Sequence, residues 1–227
     1  MLNLIVVAHP DDEILGYGGT GYLETLKGNE IQPLILCGQV DARNKRPKDL
    51  ELIQDIKKAN SLLGFNEPIL GDFPNLKMNT FPHIDIVRFI EENIQNFSPD
   101  NIFTHHPNDL NDDHRQVSKA CLAASRLSQR NNKIKPIKGL YFMEILSSTE
   151  WAINITGNLF NPNIFVEINK SIDLKILALS CYRDVMRKSP HPRSENVLRA
   201  HSTFRGAQIG FEYAEAFELA FKRGINE

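Results

Sequence analysis

The sequence predicts an α/β fold of three layers, a mostly parallel sheet covered by helices on both faces. Short apolar runs alternate along the chain with longer amphipathic stretches, which is the pattern of parallel βαβ units. Gly28 and Gly64 stand where two of the amphipathic stretches should stop. A chain of 227 residues, 41% hydrophobic and 24% charged, lies in the globular range and excludes a wholly disordered, collagen-like or fibrous protein. That length suits one domain over residues 1–227, large enough to bury a core without disulfide or metal staples.

Leu4 to Ala8 is a β-branched run that fits a buried strand. Gly16 to Lys27 reads as a helix, with Gly28 as its stop. Ile31 to Cys37 is a second strand. From Asp49 to Leu63, Leu50, Ile53, Ile56, Ala59 and Leu63 keep a helical period that Gly64 ends. Pro68 to Leu70 is a third strand. Ile84, Val87, Ile90 and Ile94 share one face of a helix from Ile84 to Ile94. Asn101 to Thr104 is a fourth strand, and Asp113 to Ser128 an Ala-rich helix. Leu140 to Ile145 and Ile164 to Ile168 are fifth and sixth strands. Ile172 to Met186 and Phe211 to Phe221 read as helices. The stretch from Ser189 to Ser194 resembles a linker most, but reads better as an ordered loop.

Lys plus Arg total 26 against 28 for Asp plus Glu, a net charge of −2, so there is no global field to hold nucleic acid. Cys37, Cys121 and Cys181 form no CxxC pair, and reduced thiols in a cytoplasm are expected. The opening apolar run turns acidic after Ala8, unlike a signal peptide. No window approaches the roughly 20 apolar residues of a membrane span. A soluble, cytoplasmic chain is expected; assembly into a homo-oligomer is left open.

In open α/β sheets, ligands bind beyond the carboxyl ends of the strands. The first strand ends directly in His9-Pro10-Asp11-Asp12-Glu13. The fourth ends in His105-His106-Pro107-Asn108-Asp109, followed by Asn111, Asp113 and His114. In a 3-2-1-4-5 strand order these two polar clusters meet at the switch point of the sheet. Neutral imidazoles and a carboxylate are ligands that zinc takes, three from protein with one position open. His9, Asp12 and His114 supply such a set for Zn2+ or another divalent metal, leaving Asp11 beside it as a base. Helix capping explains any one of these acids. It does not explain two histidine–carboxylate clusters on two strands.

Gly16-Tyr17-Gly18-Gly19-Thr20-Gly21 matches Gly-x-Gly-x-x-Gly, the dinucleotide fingerprint. Seven residues separate it from the strand, and three of them are acids that would repel a pyrophosphate. Close packing of the helix on the sheet is the favoured reading of these glycines.

The segment Ala8 to Glu13 (AHPDDE) resembles the signature of the PIG-L/LmbE-like deacetylase family, and His106-x-x-Asp109-x-x-x-Asp113-His114 resembles its second motif. Phe73-Pro74-Asn75, Ser147 to Trp151, Pro190 to Ser194, Arg205-Gly206 and Tyr213 to Phe217 are also similar to segments of bacterial members. The resemblance implies a Rossmann-like fold, zinc, and hydrolysis of N-acetyl groups from amino sugars or nucleotide sugars. It implies His9, Asp12 and His114 as metal ligands and Asp11 as general base, with Asp109 and Asp113 orienting the site. Several members have a histidine where this chain has Asn111, so the acid must come from elsewhere. His191 is the first candidate, then His106 and His201. Arg193 and Ser194 are expected to bind substrate beside His191, with Trp151 stacking on a sugar or anchoring its loop. Gly38 and Asp41 are expected to shape the pocket; Arg43 and Arg46 read as a solvated charge run, and His83 as surface. Two other functions remain open: an amidase acting on another acylated amine or thiol conjugate, and a non-catalytic nucleotide-binding module.

Overall fold

The apolar run at the N-terminus forms β1 (Leu2–Val7), in which Leu4 to Val7 are fully buried. There follow α1 (Asp12–Leu26), β2 (Glu30–Ile35), α2 (Asp49–Leu62), β3 (Ile69–Leu70), α3 (His83–Phe97) and β4 (Asn101–His105). Then come α4 (Asp112–Ala124), α5 (Leu127–Arg130), β5 (Gly139–Met143), β6 (Ile164–Glu167), α6 (Ile172–Leu179), α7 (Glu195–Ala207) and β7 (Ala214–Lys222). These elements come from a computed structural model that describes residues 1–39, 47–153 and 157–224.

The strands form one seven-stranded sheet in the order β3-β2-β1-β4-β5-β7-β6. The five strands from β3 to β5 run parallel, and β7 lies antiparallel to β5 and β6. This is the mostly parallel α/β sheet that the sequence predicts. Successive residues of a strand face opposite sides, so a central strand buried on both faces must be apolar throughout. Ile5 and Val7 accordingly join Ile14 of α1, Ile56 of α2 and Ile176 of α6 in one cluster. Leu4 and Val6 join Ile90 of α3 and Val117 of α4 in the other. Among the described residues, no helix is long and apolar enough to cross a membrane.

The four glycines from Gly16 to Gly21 lie inside α1, not at the turn after β1. A Cβ on Gly16 would stand 2.7 Å from Ile145 Cδ1, and one on Gly21 would overlap the Phe65 ring. The glycines therefore let α1 press against the sheet and its neighbours. Gly21→Val is expected to lower stability by roughly 1–3 kcal/mol, the usual cost of overpacking. A denaturant midpoint equal to wild type would show that Phe65 moves aside without strain.

Some elements differ from the sequence expectation. Phe211 to Phe221 is not a helix; Ala214 to Lys222 is the strand β7. Its Ala, Glu and Leu content favours a helix, but pairing with β5 and β6 on its two edges decides the outcome. Helix α1 starts at Asp12, not Gly16, because Asp11 adopts a left-handed φ of 96° that turns the chain sharply out of β1. Helices α6 and α4 are shorter than expected, and α5 is separate from α4. Helix α7 escapes sequence reading because its buried stripe is Leu198, Ser202 and Gly206, with one large apolar side chain. Its start is marked by Ser194, whose hydroxyl accepts from the Val197 amide at 3.4 Å.

Candidate active site

Strand β1 pairs with β4 from Asn3 against Asn101 to Val6 against Thr104, so their carboxyl ends open together. The loop after β1 brings His9, Asp11 and Asp12, and the start of α4 brings Asp113 and His114. His9 Nδ1 lies 3.2 Å from His114 Nε2. Asp12 Oδ2 lies 3.4 Å from the first nitrogen and 3.2 Å from the second. Donors each about 2.0–2.1 Å from a tetrahedral ion would stand roughly 3.4 Å apart. This trio, buried on all three members, therefore fits a divalent metal. His9, Cys37 and Asp113 form a second close trio on the other edge of the His9 ring. There Asp113 is already engaged by backbone amides.

A layer of carboxylates and hydroxyls orients the donors. Asp113 Oδ2 lies 3.0 Å from His9 Nε2 and accepts from the Leu76 amide at 2.6 Å. Its other oxygen accepts from the Met78 amide at 3.0 Å. Asp109 Oδ1 lies 3.2 Å from His114 Nδ1. Asp109 also accepts from the hydroxyl of Ser148 and, at 2.7 Å, from that of Thr149. Asn111 caps α4, its Oδ1 accepting from the Asp113 amide at 3.0 Å. The His105 ring stacks on His114 with centroids 3.8 Å apart, and its Nε2 accepts from the Ala8 amide at 2.8 Å.

Burial opposes a charge on His114, but the Asp12 and Asp109 carboxylates outweigh it and raise its pKa to about 9. Burial opposes ionisation of Asp109 too, and His114 overcomes it, bringing the carboxyl down to about 2. His105 has burial and the neighbouring His114 against it, and falls to about 3, so it is a neutral ring at pH 7. Burial lifts Glu13 to about 7, although Tyr182 and Asn60 hydrogen-bond its carboxylate.

An open pocket with about 530 Å³ of free space is lined by His9, Asp11, Asp12 and His114. Asn75, Leu76, Asn111, Ser147, Ser148 and Arg193 complete the lining. Arg193 Nη1 donates to Asp11 Oδ2 at 3.0 Å.

Among the described residues, His191, His106, His201, Ser194 and Gly38 are not part of this lining. His191 is partly buried; its Nδ1 accepts from the Arg193 amide at 3.0 Å, and its ring stands edge-on to Trp151, centroids 6.2 Å apart. His106 packs against Phe142 and Phe160, with Nε2 3.5 Å from Glu218. His201 lies 3.0 Å from Glu144. Ser194 caps α7. Gly38 donates its amide to Gly71 at 3.0 Å, and Asp41, Arg43 and Arg46 lie outside the described residues. Sequence reading did not assign roles to His105, Cys37, Asn75, Leu76, Ser148 or Thr149. The hydroxyls stand in the segment Ser147 to Trp151, which the family resemblance marked without showing what it does.

A family model described as PIG-L, GlcNAc-PI de-N-acetylase, matches residues 4–125. No curated protein sequence matches the chain. Among solved structures, a conserved protein from Thermus thermophilus is similar with a TM-score of 0.78 at 24% identity, over 99% of this chain and 97% of that one. The N,N'-diacetylchitobiose deacetylase of Pyrococcus horikoshii is similar with a TM-score of 0.77 at 19% identity, over 96% and 83%. So is GalB, the 4-carboxy-2-hydroxymuconate hydratase of Pseudomonas putida, with 0.77 at 17% over 100% and 98%. One fold thus carries a deacetylase and a hydratase, and the chemistry must be argued from the site.

Proposed function

The chain belongs to the PIG-L, GlcNAc-PI de-N-acetylase family, and on that premise we propose that it is a metal-dependent N-deacetylase of an N-acetylated amino sugar or sugar conjugate. The observation that supports this reading most is the convergence of His9, Asp12 and His114 at 3.2–3.4 Å in a pocket that Asp11 also lines. A zinc ion held by those three would polarise an amide carbonyl and acidify water. Asp11 takes the proton of the attacking water. The water oxygen bonds to the acetyl carbon, the C–N bond breaks, and the amine leaves with a proton alongside acetate. With Cys37, Cys121 and Cys181 all free thiols, we assign the reaction to a reducing cytoplasm.

We assign the proton for the amine to His191. Its Nδ1 accepts from a backbone amide, so in the neutral ring Nε2 carries the hydrogen and is a donor. Partial burial, then Arg193 and Arg187, lower its pKa, so the protonated ring that gives up the proton is the minor form at neutral pH, and this step weakens as pH rises. His191→Ala is expected to slow turnover toward the lower end of the roughly 10²–10⁴-fold range of acid–base groups, with bound zinc unchanged. An undiminished rate would move the role to another group.

The test of the function is acetate release across N-acetylglucosamine, N,N'-diacetylchitobiose and UDP-N-acetylglucosamine, with an N-acylated thiol conjugate as a non-sugar arm. Acetate and primary amine in equal amounts from a sugar, abolished by chelator, is the expected result. Release from the thiol conjugate alone would establish the broader amidase reading instead. No acetate from any arm would refute the hydrolase reading.

A further inference from the structure

We propose that Arg193 is a positioning residue that acts through Asp11, fixing the carboxylate of the base rather than gripping the substrate. This rests on the deacetylase reading and on Asp11 as its base. Asp11 is fully buried, and a buried carboxylate needs a charged or hydrogen-bonding partner. Arg193 supplies one from 182 positions along the chain, Nη1 donating to Asp11 Oδ2 at 3.0 Å. Its Nε donates to Ser147 Oγ at 2.7 Å. A guanidinium is planar, so two bonds from different nitrogens set both its position and its plane. Two of its nitrogens are thus directed to protein acceptors, which argues against a free anion grip.

The loop that carries Arg193 is closed on itself. The Arg193 amide donates to His191 Nδ1 at 3.0 Å, its carbonyl accepts from the Arg187 amide at 3.1 Å, and Ser194 donates to the His191 carbonyl at 2.9 Å. The other end of Asp11 is held as well. Its amide donates to Glu13 Oε2 at 3.0 Å, and Glu13 is itself bonded to Asn60 and Tyr182. With its backbone pinned in a left-handed turn, the Asp11 side chain has its remaining freedom at the carboxylate, where Arg193 binds. A small misplacement of a reacting group costs up to about 10²-fold in rate, so this contact is worth a comparable factor in kcat.

The test is a double-mutant cycle on the zinc-loaded enzyme, using the sugar of the panel that releases most acetate. Arg193→Ala is expected to lower kcat by about 10²-fold with KM little changed. In Asp11→Asn it should lower kcat no further, because the group it acts through has lost its function. Arg193→Lys should recover part of the loss, having the charge without the fork. Effects that multiply across the cycle, or a KM rise at constant kcat, would overturn the proposal in favour of a substrate contact. Thermal midpoints of the same four proteins read the contact without turnover. Arg193→Ala should cost less in Asp11→Asn than in wild type, and strictly additive shifts would overturn it. If no sugar yields acetate, the deacetylase reading fails while the midpoints still decide whether the two side chains are coupled.

Discussion

Asp11→Asn is expected to keep its fold and its zinc while losing roughly 10²–10⁴-fold in turnover, the usual worth of a general base. The substitution preserves shape and removes the negative charge, and with it both the basicity and the charge that Arg193 pairs with. The side chain is fully buried, lines the pocket with His9, Asp12 and His114, and receives Arg193 at 3.0 Å. The left-handed φ of 96° suits the new residue, since asparagine and aspartate tolerate that region best among non-glycine residues. An asparagine should therefore sit in the same turn without new strain. Loss of rate together with loss of zinc would show that Asp11 holds the metal. A rate equal to wild type would show that another group, with Glu13 nearest in sequence, takes the proton.

His9→Ala, Asp12→Ala and His114→Ala are each expected to lose stoichiometric zinc and, with it, activity. The folded state should survive, because the two apolar clusters on the sheet faces do not involve these side chains. Zinc takes neutral imidazole, and the metal-free site raises His114 to about 9. Below that pH a proton must leave His114 before it can bind. Zinc affinity should therefore climb as pH rises toward 9, with proton release on binding. The measurement is a zinc titration of chelator-stripped protein at several pH values in weakly buffered solution. Full zinc retention in all three alanine variants would contradict the ligand set, and an affinity independent of pH would contradict the protonation.

Much of this was legible in the sequence because the central strands are buried on both faces and end in polar clusters. The run Leu4-Ile5-Val6-Val7 can only be a buried strand in an α/β chain, and His9 to Glu13 follows it immediately. The same holds for Ile102-Phe103 and the motif up to His114. Residues of the site that arrive from elsewhere were harder to see. Ser148 and Thr149 look like any loop hydroxyls until folding sets them on Asp109. Nothing in the spacing of Arg193 marks its partner Asp11, 182 residues away. For His191, the sequence showed neither the bond that its Nδ1 accepts from the Arg193 amide nor the edge-on packing of its ring on Trp151. Strand β7 was misread as a helix because pairing on both edges, invisible in local propensity, overrides its Ala and Glu content.

The most direct test of the account is to strip the protein with chelator, return zinc in steps, and measure acetate and free amine from an N-acetyl sugar at each step. The account predicts no product from the stripped protein. Acetate and amine should then appear in equal amounts, rising in proportion to zinc until one ion per chain is bound, and none should appear in Asp12→Ala at any step. Acetate release that persists without metal, or that zinc restores equally well in Asp12→Ala, would contradict it.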